Sequence, residues 1–166
     1  TDDLDAILSR CNATFLEGGL HSFSDVPDGC CDFVFSHSVL EHVPRADFAP
    51  LMGEIYRVLK PGGVSSHDVD FRDHLGGSLN HLRFSHRLWE APWFARRSGF
   101  YTNRLLFSQM LGILRDAGFE AEIRNIDKWP KPALPRTALD PAFRSLEDND
   151  LCTSHCFVIL TKPTES

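Results

Sequence analysis

Nowhere in the 166 residues does an apolar run approach the roughly 18 positions that a membrane-crossing helix needs, although 42% of the chain is hydrophobic. No membrane span is expected. The opening residues, Thr1-Asp2-Asp3-Leu4, lack both the basic start and the apolar stretch of a secretory leader. Metal-binding spacings are missing as well: the five cysteines form no C-x-x-C and the eight histidines no H-x-x-x-H. Without such pairs zinc has no recognisable ligand set, and no metal is expected. An odd cysteine count without a framework spacing reads as free thiols in a reducing compartment, so the chain is placed in the cytoplasm. Positive charge is scarce too. With 17 Lys and Arg against 23 Asp and Glu, the net charge of −6 excludes the basic footprint of a general nucleic-acid binder. Internal repeats and low-complexity tracts are absent.

What remains is the patterning of an α/β domain. Residues 2–11 read as a short helix with Leu4, Ile7 and Leu8 on one face. Thr14 to Glu17 reads as a brief strand, ended by Gly18-Gly19, and Pro27-Asp28-Gly29 is a turn. Asp32 to Ser36 is a nearly continuous apolar run, the signature of a strand covered on both faces in a parallel sheet. From Asp47 to Leu59, Phe48, Leu51, Met52, Ile55, Val58 and Leu59 recur on one helical stripe, with Asp47 as the expected cap and Pro61-Gly62-Gly63 as the stop. Val64 to Phe71 is an unusually polar strand, and Ser85 caps a short helix. Ser108 opens a helix closed by Gly118, Phe119 to Ile126 is a strand, residues 127–141 are loop with four prolines, and Thr153 to Thr161 is a final buried strand. The alternation argues for a mainly parallel sheet with helices on both faces.

The segment Pro27-Asp28-Gly29-Cys30-Cys31-Asp32-Phe33-Val34-Phe35-Ser36-His37-Ser38-Val39-Leu40-Glu41-His42-Val43 resembles the middle motif of class I S-adenosylmethionine-dependent methyltransferases of the type 11 kind. Arg57-Val58-Leu59-Lys60-Pro61-Gly62-Gly63 and Ala117-Gly118-Phe119 resemble that family's later segments, in its order and at its spacing. The resemblance implies a truncated Rossmann-like methyltransferase sheet with an antiparallel C-terminal strand, S-adenosyl-L-methionine as cofactor, and residues 72–104 as an acceptor-site insertion. The family's glycine-rich loop has no counterpart in this sequence. Residues 1–166 are therefore expected to be the C-terminal portion of one methyltransferase domain, itself inactive. Loss of the first strands leaves the third unpaired or forces it beside the fourth, and predicts a rearranged half-sheet or a homodimer through the exposed edge.

Ligands of open α/β sheets lie beyond the carboxyl ends of the strands. The resemblance therefore assigns Ser36, His37 and Ser38 to the cofactor, with the Leu20 and His21 amides against its adenine, where the family's acidic residue is missing. An acceptor hydroxyl would need a base, for which His42 and the strand-end pair His67 and Asp68 are candidates. Asp70, Arg72, His74 and Arg83 are candidates for acceptor binding. Residues 72–104 hold six arginines against two acids, a cationic stretch suited to an anionic acceptor. Arg72-Asp73-His74-Leu75-Gly76-Gly77 with Leu79-Asn80-His81-Leu82-Arg83-Phe84-Ser85 also resembles bacterial methyltransferases whose acceptor is unassigned, with a link to glycan or lipid modification. A small-molecule or glycan-like acceptor is expected. Glu41 and His42 resemble the metal-site pair of quinone-biosynthesis O-methyltransferases, but Ser38 stands where those enzymes place another acid. Two other readings remain open: a catalytically silent half-domain used for association, and a dinucleotide-dependent oxidoreductase, which the Val-Leu-Glu-His-Val and Leu-Lys-Pro-Gly-Gly pieces fit poorly.

Overall fold

A computed structural model describes residues 3–164. Four strands form one sheet in the order β1-β2-β4-β3: β1 (Cys31–His37), β2 (Leu59–Asp70), β3 (Glu120–Lys128) and β4 (Thr153–Thr161). β1 is parallel to β2, whereas β4 runs antiparallel to both β2 and β3. Three strands thus share one direction and the C-terminal strand opposes them, as the resemblance implies. The longer helices are α1 (Leu4–Cys11), α2 (Arg45–Val58) and α5 (Phe107–Asp116); α3 (His86–Trp89), α4 (Pro92–Arg97) and α6 (Asp148–Cys152) are short. Asp2, part of the expected first helix, lies outside the described residues.

The α2 stripe forms as its spacing predicts, burying Phe48, Met52, Ile55 and Val58. Pro44, not Asp47, occupies the cap position. Pro61-Gly62-Gly63 does not separate helix from strand, because β2 already starts at Leu59. The three residues form a bulge instead, across which the β1 partners jump from Cys31↔Leu59 to Phe33↔Val64. Gly62 has φ +77°, and a Cβ on Gly63 would stand 2.8 Å from the Lys60 carbonyl oxygen. Glycine is required at both.

Thr14 to Glu17 is irregular, contrary to the expected strand. A strand needs a neighbour to take its backbone hydrogen bonds, and the described residues offer none there. The edge of β1 away from β2 is likewise without a strand partner among them.

Cover on the sheet is uneven. Val34, Val69, Cys156, Val158 and Leu160 join Phe48, Met52 and Ile55 of α2 and Met110, Leu111 and Leu114 of α5 in the main core. The alternate positions belong to no core cluster: Phe33 is 56% and Phe35 72% exposed. A second apolar cluster, Leu79, Leu82, Leu106, Leu139, Phe143 and Leu151, ties the 72–104 segment to the proline-rich loop. Helix α5 is capped in trans: the backbone N–H and Oγ of Ser108 both donate to the Asp150 carboxylate.

Candidate active site

The carboxyl ends of β1 and β2 meet where the sheet's less covered face opens. Parallel register sets His37 beside Asp68. The next residue, Ser38, turns the chain with φ +51° and donates its N–H to the Asp68 carbonyl oxygen at 3.0 Å. The Asp68 carboxylate accepts a 2.8 Å hydrogen bond from His155 Nε2, and His37 Nδ1 lies 3.4 Å from the same oxygen. His155 belongs to β4, and its Nδ1 faces Asp127 of β3 at 3.7 Å. Two residues beyond Asp68, Asp70 grips Arg72, accepting from its Nε at 2.9 Å, its Nη2 at 2.8 Å and its backbone N–H at 2.9 Å. Burial raises the Asp70 pKa, but the Arg72 hydrogen bonds outweigh it and leave the group below the ordinary carboxylate value. These two expected acceptor-binding residues therefore bind each other.

His67, expected at the catalytic centre, faces the other way. Side chains alternate along a strand, so its neighbour Asp68 looks out and His67 looks in. It is fully buried, its Nδ1 2.8 Å from Ser36 Oγ, and desolvation pushes its pKa down to about 4. No acceptor reaches it without unfolding the core. The same bond turns Ser36 away from any ligand on the open face, which corrects its placement among the cofactor residues.

His42 lies beyond β1 in the 3-10 turn Leu40–His42, its Nδ1 donating to the Tyr101 carbonyl oxygen at 3.3 Å. Its ring stacks on that of His74, with centroids 5.1 Å apart. The two residues expected in separate roles thus form one half-exposed pair. Neighbouring Glu41 is buried, and burial raises its pKa. Glu41, Asp70, His81, Asn103 and Arg104 border a void of about 10 Å³, room for a single water.

Within residues 72–104, the Arg104 guanidinium is completely buried between the rings of Trp89 and Phe143, 5.2 and 5.1 Å away. It donates to the His81 and Phe84 carbonyl oxygens and pairs with Glu90 at 3.7 Å. One of the segment's six arginines is therefore an internal clamp, and Arg72 is paired with Asp70. Arg83 closes the 3-10 turn Asn80–Arg83 and is exposed. Trp89 is core, whereas Trp93, one turn later, is 61% exposed.

Leu20 and His21 sit in the 3-10 turn Gly19–Asp25, held onto α2 by Arg57, which donates to the Phe23 and Val26 carbonyl oxygens. Leu20 borders open grooves of about 620 and 430 Å³ along α2, and His21 the larger of the two. Neither groove is lined by Ser36, His37 or Ser38. The five residues expected around the cofactor do not share either groove.

His155 and Asp127 escaped the sequence reading. The signal was the polar start of an otherwise apolar final strand, Thr153-Ser154-His155, which an antiparallel strand places beside the carboxyl ends of its neighbours.

The family described as methyltransferase domain matches residues 4–66. That stretch contains β1, α2 and the first part of β2, in the order and orientation just described. This is the class I methyltransferase fold. The chain superposes on the YcgJ protein of Bacillus subtilis with a TM-score of 0.56 and 15% identity, over 97% of this chain and 77% of that one. A S-adenosylmethionine-dependent methyltransferase from Mesorhizobium loti gives 0.51 and 15% over 96% and 76%. One from Archaeoglobus fulgidus gives 0.51 and 14% over 96% and 72%. Against neighbours from Haloferax volcanii and Methanosarcina mazei, the chain spans 65% and 63% of their lengths. No curated protein matches the chain.

The match to the methyltransferase domain over residues 4–66 implies S-adenosylmethionine as the cofactor. The residues present suit its sulfonium end: Asp68 and Asp127 place carboxylates at the strand ends, a field that favours a cation, while the charge of Asp70 is taken up by Arg72. When bound, the group supplies an electrophilic methyl. No helix among the described residues is long and apolar enough to cross a membrane, and no group of three or more His, Cys, Asp or Glu there is arranged to hold a metal ion.

Proposed function

We propose that this chain carries the acceptor side of a S-adenosylmethionine-dependent methyltransferase domain, of which residues 1–166 are the C-terminal portion and residues 72–104 the acceptor-site insertion. The acceptor is a small molecule or a glycan-like group. One observation carries the reading: the acidic strand ends at His37, Asp68 and Asp70 open beside that insertion, within a fold whose ligands sit at strand carboxyl ends. His37 and Ser38 border the donor, and His42 with His74 flanks the acceptor. The exposed arginines Arg83, Arg87, Arg96 and Arg97 favour an anionic acceptor. Calorimetric titration with S-adenosylhomocysteine tests the reading. Binding by the full gene product that contains this chain is expected; binding of a nicotinamide dinucleotide in its place overturns it.

A second reading has its own observation. The open β1 edge and the exposed Phe33 and Phe35, rings 6.1 Å apart, suit a half-domain that serves association, including a homodimer formed through that edge. Sedimentation of the chain distinguishes the two.

A further inference from the structure

The acidic strand ends contain more order than a cation site needs. His37, Asp68 and His155 come from three different strands, and Asp68 is shared by both imidazoles through the same carboxylate oxygen. His155 is mostly buried: its side chain is 21% exposed, against 77% for His37. With Nε2 donating to Asp68, His155 presents no nitrogen to solvent, since Nδ1 is buried without a hydrogen-bond partner. It cannot serve a ligand directly. Its effect on Asp68 is to fix which oxygen points at His37. His37, by contrast, offers its far nitrogen to solvent, beside the Ser38 turn.

We propose that His37 is the proton acceptor for a hydroxyl-bearing methyl acceptor, with Asp68 orienting its ring and His155 acting as the positioning residue that holds Asp68. The inference rests on the methyl-transfer reading and narrows its acceptor class from any nucleophile to a hydroxyl. In the step, the acceptor O–H proton passes to His37 Nε2. The oxygen pair so released bonds the donated methyl carbon, while the carbon–sulfur pair stays on sulfur. An imidazole whose other nitrogen faces a carboxylate, as His37 Nδ1 faces Asp68 at 3.4 Å, is the arrangement that accepts such a proton well. The charged groups facing the array are Asp68, Asp70 and Arg72 from β2 and its end, Asp127 from β3 and His155 from β4.

The test needs no turnover. Diethyl pyrocarbonate acylates unprotonated, accessible imidazoles, and peptide mass spectrometry reads its rate at His37 with His21 as internal control. At a pH of about 8.5, well above the ordinary imidazole value, so that only nucleophilicity differs, Asp68→Asn and His155→Phe should each slow modification of His37 several-fold. His155→Gln, whose amide N–H reaches the place of Nε2–H, should restore the wild-type rate. A purely structural His155 would instead give equal rates at His37 in the Phe and Gln variants, and that result overturns the proposal. Should the Phe variant fail to fold, Asp68→Asn decides alone: an unchanged His37 rate overturns it. S-adenosylhomocysteine calorimetry on the full gene product reports separately on the parent reading. Binding with an unresponsive His37 removes only the hydroxyl assignment. A responsive His37 in a protein that never binds the cofactor product removes methyl transfer, and this inference with it.

Discussion

On one face of the sheet Val69, Cys156, Val158 and Leu160 lie under α2 and α5, with exposures of 2% or less. On the other face, Phe33 and Phe35 stand in solvent beside Asp68 and His155. Both faces come from the same strands and differ by one residue in phase. The covered face holds the fold together and tolerates little, even forcing a histidine to stay neutral. The open face contributes little to stability and gathers the groups capable of proton chemistry. Buried apolar side chains and exposed titratable ones are thus sorted by parity along β1, β2 and β4, and substitutions one residue apart should have effects of different size and kind.

The sharpest contrast is truncation on each side. Leu160→Ala, at a fully buried position, should cost about 3 to 4 kcal/mol by urea unfolding, through lost burial and the cavity left behind. Phe35→Ala removes a larger side chain at 72% exposure and should change stability by less than about 0.5 kcal/mol. Comparable losses would mean that the open face is packed in solution.

Protonation provides the second contrast. His67 is held down to about 4 by burial, from an ordinary 6.5. The unfolded chain therefore takes up a proton below about 6.5 that the folded chain refuses until about 4, so stability falls as pH drops through that window. The loss attributable to this one group approaches about 3 kcal/mol at the acid end. His81, likewise held down to about 4 by burial, adds in the same direction. His67→Gln should flatten the pH dependence of the urea midpoint between those limits. An unaltered slope would place His67 on the wrong face.

Both contrasts depend on parity, which marks where the sequence was legible and where it was not. The runs at β1 and β4 and the stripe of α2 are local patterns, readable because burial repeats at the period of the element. The antiparallel sense of β4 followed from the family resemblance, whereas the order β1-β2-β4-β3 came only with the structure. Thr14 to Glu17 was apolar enough for a strand, but strands need partners, and partners are not local. Alternation in His67-Asp68-Val69-Asp70 showed that two of the four share a face, but not which face α2 and α5 would cover. His67 was accordingly placed at the site it turns away from. The position of Asp68 at a strand end was legible from the run Val64 to Phe71. His155 lay hidden because its link to Asp68 spans 87 residues and depends on antiparallel pairing.

A smaller effect is expected where the two apolar clusters meet. Asp150 accepts both the backbone N–H and the hydroxyl of Ser108 in the first turn of α5. Asp150→Ala leaves that N–H without its cap and should cost about 1 to 2 kcal/mol, while Ser108→Ala, which keeps the backbone bond, should cost less. Equal losses would assign the effect to the hydroxyl and not to the helix end.

The smallest effect on stability should come from the open face, where its readout is association. Phe33→Ser combined with Phe35→Ser removes two exposed rings without opening a cavity, so the urea midpoint should barely move. If apolar contact through this face drives self-association, sedimentation velocity should show the wild-type chain shifting toward a dimer with concentration and the double variant remaining monomeric. If instead the β1 edge pairs by backbone hydrogen bonds alone, the double variant should dimerise as the wild type does, since main-chain donors and acceptors are untouched. A proline at Val34 then separates the two mechanisms: it removes the N–H of one mid-strand residue and should abolish edge pairing if that N–H faces outward.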